Sequence, residues 1–253
     1  MEDSARLRHF YEQGYSLPAG EAERFSRWRS LSAIGKAAHV VELCRRAGLE
    51  PGSTLDVGCG DGALLCALSE GGFGGKLTGL EITDAAVAIA REREQIDSVE
   101  RYDGQRVPAA DGGYELGVLS HVLEHVEHPA TLLTEVARAC RAVVIEVPLE
   151  ANLSASRRGK REHAAEVGHL HSLDRADARS IAREAGLVVR AELEDPLSRE
   201  VQLFFADDTA ARTRANLRWA TRAGLHRMLP DLARRLFTVH YAALCTPPDS
   251  PLA

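Results

Sequence analysis

Apolar residues recur along this chain in two rhythms. Across residues 2–48 they fall at helical spacing: Ile34, Ala38, Val41 and the run 43–47 suit one helix that ends before Gly48. From Pro51 onward, short apolar runs alternate with helix-length stretches. The runs predict strands at 54–57, 76–81, 98–102, 114–120 and 142–147, and the stretches predict helices at 62–70, about 84–94 and 129–140. Asp84 is expected to cap the helix that it opens, and Asp103-Gly104 stops the third strand. The run 142–147 is β-branched and apolar enough for the interior of a parallel sheet. Beyond a polar stretch at 150–168 come a helix around 175–185, a strand at 187–193, a largely helical 207–236 and a last apolar run at 237–245, which suits an edge strand. Strands alternating with helices mean βαβ units, hence an α/β fold with a doubly wound, mostly parallel seven-stranded sheet. The expected organisation is an N-terminal helical cap at 1–48 and a sheet domain at 49–253, with a helical insertion at about 207–236 before the last strand.

Composition narrows the class further. With 253 residues, 45% of them hydrophobic, the chain buries a core of one domain with embellishments. A formal net charge of −6 argues against nucleic acid or an acidic membrane as a partner of the whole protein. Five scattered cysteines, an odd number with no Cys-x-x-Cys pair, read as small buried hydrophobes in a reducing compartment. The acidic start Met1-Glu2-Asp3-Ser4 lacks the pattern of a secretion signal, and no apolar run approaches bilayer length, so a cytoplasmic protein is expected.

The candidate chemistry centres on Leu55-Asp56-Val57-Gly58-Cys59-Gly60-Asp61-Gly62, where a buried strand turns into a helix. Its glycines permit a tight turn and let a ligand approach backbone N–H groups at the positive end of a helix. Gly58-x-Gly60-x-x-Ala63 also satisfies a relaxed dinucleotide fingerprint, so glycine spacing alone leaves an NAD(P)-dependent oxidoreductase open. Asp56, two residues before the first glycine, stands where a dehydrogenase strand is usually apolar, because a pyrophosphate wants no extra anion nearby. With Asp56 included, the string resembles the first signature of class I S-adenosylmethionine-dependent methyltransferases, which are Rossmann-like. Four more segments resemble that family in order: Glu81 closing the second strand; Tyr102-Asp103-Gly104 with Val107-Pro108; the stretch from Tyr114 through Val-Leu-Glu-His-Val at 122–126; and Gly168-His169-Leu170-His171-Ser172-Leu173 before a helix ending Ala185-Gly186-Leu187. Within them, Glu115 stands where aspartate is more usual, and Gly117 is smaller than the family pattern.

The resemblance covers roughly residues 50–195. It implies S-adenosylmethionine as cofactor, S-adenosylhomocysteine as product, and a cofactor site of Asp56, Gly58, Cys59, Gly60, Gly62, Glu81, Ile82, Asp103, Gly104 and His121. Asp56 and the loop amides would hold the amino-acid end, Glu81 the ribose hydroxyls, and Asp103 the adenine amino group.

Methyl transfer from a sulfonium is an in-line displacement with a neutral leaving group, so alignment and exclusion of water come first. A base helps only where the nucleophile sheds a proton, as a hydroxyl must. His125, His169 and His171 are the candidate bases, with Glu146 and Glu150 nearby in the chain. The acceptor is expected to be a small molecule, anionic in one version, methylated at a hydroxyl, amine or carbon. His121-x-x-Glu124-His125 also fits the H-x-x-E-H pattern of zinc peptidases, but that reading needs a long helix and a third ligand, and no metal set is expected. A protein that binds the cofactor without turning it over fits the same residues. Three segments could shape the acceptor site: a lid of Phe10, Tyr11, Tyr15, Phe25 and Trp28; the basic run 156–161; and the insertion 207–236, which carries Arg212, Arg214, Arg218, Arg222 and Arg227 and suits a cap or a homodimer contact.

Overall fold

A computed structural model describes residue 12 and residues 14–250. Helix α1 (Ala19–Ala47) buries Ala33, Ala37, Val40, Leu43 and Cys44. That stripe lies a fraction of a turn from the expected one, and Ile34 is 61% exposed. Ala37, Val40 and Leu43, not Ile34, are the residues of α1 that pack into the apolar layer on the sheet. Gly48 ends α1 in the left-handed conformation at φ 69°, its N–H donating to the Arg45 carbonyl.

The sheet elements then alternate with helices. In order they are β1 (Ser53–Val57), α2 (Ala63–Glu70), β2 (Lys76–Glu81), α3 (Asp84–Arg91), β3 (Ser98–Arg101), β4 (Tyr114–Ser120), α4 (Pro129–Ala139) and β5 (Cys140–Pro148). There follow α5 (Arg158–Glu166), α6 (Arg175–Glu184), β6 (Val188–Asp195), α7 (Arg199–Leu203), α8 (Thr209–Met228), α9 (Pro230–Leu236) and β7 (His240–Thr246). Seven strands form one sheet in the order β3-β2-β1-β4-β5-β7-β6. Strands β1 to β5 pair in parallel, and β7 runs antiparallel to both β5 and β6. One apolar layer joins α1 to the sheet through Ala37, Val40 and Leu43 with Leu116, Val144 and Leu244; the opposite layer packs Leu133 and Val136 of α4 and Ile181 of α6.

Three local expectations change. The last strand is interior, not an edge: every residue of β7 is buried, and β6, with Arg190, Glu192 and Glu194, takes the rim. An uncharged strand core belongs between neighbours on both sides. Thr83, not Asp84, is the N-cap of α3, and its side chain makes no capping bond. The Glu12 carboxylate does that work from far off, accepting the N–H groups of Asp84 and Ala85 at 3.1 Å each. The polar stretch at 150–168 contains α5, a helix with no buried residue.

The two departures from the family pattern in β4 have packing reasons. Glu115 Oε2 accepts the Gly52 N–H at 2.7 Å, closing the turn into β1. A Cβ on Gly117 would come within 2.9 Å of both Cys140 Sγ and Val136 Cγ1, so α4 lies too close for any side chain there. All five cysteines are free and buried. Among the described residues, no helix is long and apolar enough to cross a membrane.

Candidate active site

The strand order reverses between β1 and β4, and the crevice at their C-terminal ends is where doubly wound sheets bind ligands. The glycine turn sits there. Gly58, Gly60 and Gly62 have φ of 81°, 56° and 77°, a region that side chains other than glycine's adopt only at a cost. The N–H groups of Gly58 and Cys59 both donate to the Leu80 carbonyl, at 2.8 and 3.0 Å, which stitches the loop to the end of β2. A Cβ on Gly58 would lie 2.6 Å from Val122 Cγ2, so the loop and the turn after β4 are in contact.

Asp56 is 2% exposed. Burial raises its carboxyl to about 7, against the opposing pull of Lys36 and with some help from Glu81. A carboxylate this costly to bury suits a site that meets a cationic ligand. Glu81 is 7% exposed and heavily engaged. Its Oε2 accepts the Gly60 N–H at 3.0 Å; its Oε1 accepts the N–H groups of Ile82 and Thr83 and the Thr83 hydroxyl, at 2.7, 3.0 and 3.2 Å. Glu81 therefore shapes the loop as well as facing the crevice, and only Oε2 retains evident room for a ribose hydroxyl. Asp103 is exposed, and its Oδ1 is held by the N–H groups of Gln105 and Arg106 at 2.8 Å each, a turn-closing role that leaves Oδ2 for a ligand. Gly104, at φ 82°, brings its backbone against Ile82, whose Cγ2 would be 3.3 Å from an added Cβ. The residues thus fit an adenosyl amino acid: a buried anion at one end, positive-φ glycines in the middle, and a paired turn at the other.

At the end of β4, His121 adopts φ 59°, a strained setting for a histidine, and its N–H donates to the Glu146 carbonyl at 2.8 Å. Residues 123–125 form only a three-residue 3-10 turn, not the long helix of a zinc peptidase. The segment 168–171 docks on this turn: the N–H groups of Leu170 and His171 donate to the Glu124 carbonyl. The three candidate bases are tethered differently. His171 Nε2 bonds the Val126 carbonyl at 2.9 Å, and His125 Nδ1 bonds the Gly168 carbonyl at 3.1 Å. His169 Nδ1 instead meets Glu150 Oε2 at 2.7 Å, while its ring packs edge-on against His125 with centroids 4.7 Å apart.

Several residues at the site carry no sequence signal. His39 of α1 and His240 at the start of β7 converge with His121 on Glu146, and Asp195 at the end of β6 faces the other ring nitrogen of His39, all from positions too far apart in the chain to form a motif. Tyr15 lies over Gly60, its hydroxyl in the space an added Cβ would take, and its ring lies 4.7 Å from the Arg29 guanidinium. Of the other lid residues, Phe25 and Trp28 pack on Phe205, with centroids 5.9 and 6.1 Å apart, away from the glycine loop; Phe10 and Tyr11 lie outside the described residues. In the basic run, Arg158 pairs with Glu162 on exposed α5. Arg212 lines a separate groove of about 580 Å³ with Arg24, Arg27 and Arg199.

A seven-stranded sheet with an antiparallel β7 and an acid-bearing glycine loop defines the class: a Rossmann-like, class I S-adenosylmethionine-dependent methyltransferase. The family model for a methyltransferase domain matches residues 25–192, and the chain belongs to that family. Ubiquinone biosynthesis O-methyltransferase of Pseudomonas paraeruginosa is 31% identical over 130 residues, covering 47% of this chain and 53% of that one. The same enzyme of Thiobacillus denitrificans is 30% identical over 139 residues, covering 49% and 59%. The chain thus matches little more than half the length of these relatives. Among solved structures, the magnesium protoporphyrin IX methyltransferase of Synechocystis, with S-adenosylhomocysteine bound, superposes with a TM-score of 0.62 at 14% identity over 97% of this chain and 99% of that one. A methyltransferase of Thermotoga maritima superposes with a TM-score of 0.61 at 12% identity over 95% and 99%. These establish the fold.

Proposed function

We propose that this protein transfers a methyl group from S-adenosylmethionine to a hydroxyl oxygen of a small-molecule acceptor, with His169 taking the hydroxyl proton. The cofactor, when bound, supplies the electrophilic methyl. Asp56 would hold its ammonium, the amides of the glycine loop its carboxylate, Glu81 Oε2 the ribose and Asp103 Oδ2 the adenine amino group. The observation that carries the choice of a hydroxyl is the 2.7 Å contact between His169 Nδ1 and Glu150 Oε2. An N–H at Nδ1 donating to that carboxylate leaves Nε2 as the basic nitrogen, and Glu150 stabilises the imidazolium that forms on proton transfer. An amine or carbon nucleophile has less use for such a pair. The relatives named as O-methyltransferases support the same choice. His125, packed against His169, keeps its ring in place, and burial lowers the basicity of His125 itself.

The test is transfer of labelled methyl from S-adenosylmethionine to a panel of hydroxylated aromatics and matching amines. Labelled ethers with wild type, and a loss of rate in His169→Gln that is recovered by raising pH, are expected. Methylation confined to amines or carbon, or full rate in His169→Gln, would overturn the assignment.

A further inference from the structure

We infer that His121, His240 and Glu146 form a binding site for a divalent transition metal ion at the acceptor end of the crevice. This rests on side-chain geometry and not on the choice of methyl acceptor. The ligand atoms are His121 Nε2, His240 Nδ1 and Glu146 Oε1, all within 4.8 Å of one another. Glu146 Oε1 lies 3.3 Å from His240 Nδ1 and 3.7 Å from His121 Nε2. Charge-assisted hydrogen bonds close to about 2.7–2.9 Å, so these contacts are long for a proton shared between partners. The His240 contact equals the edge of a tetrahedron around an ion with ligand bonds of about 2.0–2.1 Å, which is about 3.3–3.4 Å, and the His121 contact exceeds it by a few tenths of an ångström that a turn of the ring can close.

Other features of the cluster agree. His121 Nε2 and Glu146 Oε2 are buried with no hydrogen-bond partner, and Glu146 is 1% exposed. Buried polar atoms left this way are costly unless something else meets them. The far nitrogen of His121, Nδ1, lies 3.3 Å from Glu124 Oε1, itself buried, which is the carboxylate-histidine-metal arrangement that orients a ligating imidazole. His39 Nδ1 is a third orphaned buried atom, 3.5 Å from Glu146 Oε1, and stands beside the set as a further donor; its other nitrogen faces Asp195 Oδ2 at 3.6 Å. The local charge also suits a cation: Glu146, Glu124 and Asp195 surround the histidines, with Lys36 as the opposing charge nearby. Two imidazoles and one carboxylate leave a coordination position open for water or an acceptor oxygen, in the manner of catalytic and not structural sites. This is not the H-x-x-E-H zinc arrangement, since His125 points elsewhere and the other ligands come from β5 and β7.

The experiment uses the untagged chain, stripped with a chelator and reloaded with Zn2+ or Co2+. Metal retained after gel filtration is measured by mass spectrometry, and the Co2+ form is read by its visible spectrum. One equivalent per chain and the intense d–d bands of tetrahedral Co2+ are expected. His240→Gln and Glu146→Gln should each lose the bound ion, and Glu124→Gln should weaken it about 10- to 100-fold. His163→Gln, at an exposed position, should retain it. Circular dichroism checks folding, and because His240 and Glu146 lie on different strands, one misfolded variant does not remove the test. Well-folded wild type that keeps no metal, or the same retention in the His240 and Glu146 variants, would overturn the site in favour of a cluster of shared protons. Methyl transfer that persists in a metal-free enzyme would leave the proposed reaction standing while denying the ion a part in it.

Discussion

Replacing Asp56 by asparagine should make the free protein more stable at alkaline pH and poorer at holding its cofactor. The carboxyl is enclosed at the end of β1, and burial raises it from an ordinary 3.8 to about 7. A folded value above the unfolded one means that the folded chain binds this proton more tightly. Stability is therefore lost as pH rises from about 4 through about 7, and the loss is complete above that window. Between pH 5 and pH 8 the linked cost works out at on the order of 2 kcal/mol. The Asp56→Asn variant has no charge to bury at this position and escapes that cost. For a chain of this size, the difference corresponds to roughly 4–8 °C in melting temperature. Scanning fluorimetry of both proteins at pH 5 and pH 8 should show the gap opening at pH 8. Calorimetry with S-adenosylhomocysteine should show the opposite order of affinity: losing a charge-assisted contact to the ammonium costs about 1.5–3 kcal/mol, roughly 10- to 150-fold in Kd. Wild-type affinity should also rise with pH through 7 as Asp56 ionises. A variant that binds the homocysteine product as tightly as wild type, or that shows no pH-dependent stability difference, would refute both the pocket and the electrostatic argument.

Three further changes probe separate links. Gly58→Ala forces a side chain to φ 81° and drives a Cβ toward Val122, so it should cost about 1–3 kcal/mol in chemical denaturation and abolish detectable product binding; a well-bound, equally stable variant would contradict the loop geometry. Glu150→Gln should lower kcat about 10²- to 10⁴-fold at neutral pH with KM for the cofactor little changed, because it removes the partner that orients His169; an unchanged pH–rate profile would dismiss the pair. Gly117→Ala should destabilise by about 1–3 kcal/mol through its clash with Cys140 and Val136, with cofactor affinity retained, since the contact lies on the α4 side of β4; equal stability by urea titration would count against that packing.

Most strand and helix positions from 53 to 195 were legible because the central strands are apolar runs and the helices that cover them bury one face; α5, with no buried residue, was not. A strand such as 114–120 and a helix such as 129–139 declare themselves by period and by the glycines and prolines that bound them. The glycine loop was legible for a related reason: positive φ at Gly58, Gly60 and Gly62 restricts which residues can stand there, so local backbone geometry is written in residue type. Where the expectation failed, non-local packing had decided. The register of α1 depends on the sheet it covers, and β7 became interior because β6 could take the polar rim. The cap of α3 came from Glu12, which no scan of residues around 84 could find.

The sequence by itself determined the class of fold, the acid and glycines of the cofactor loop, and the histidine-rich turn after β4, because these are set by neighbours within a few positions. Only the tertiary structure decided what those histidines face. His39, His121, Glu146 and His240 lie on α1, at the end of β4, on β5 and on β7, and the sheet order together with the packing of α1 on the sheet brings them within ion-pair distance. His169 likewise met Glu150 only because residues 168–171 fold back onto the Glu124 carbonyl. The residues proposed to hold the cofactor lie on short turns after β1, β2 and β3 or at the strand ends that lead into them, and each can be read in a string of neighbouring residues. The histidine and carboxylate cluster is assembled from elements distant in the chain, and it exists only once the sheet has closed.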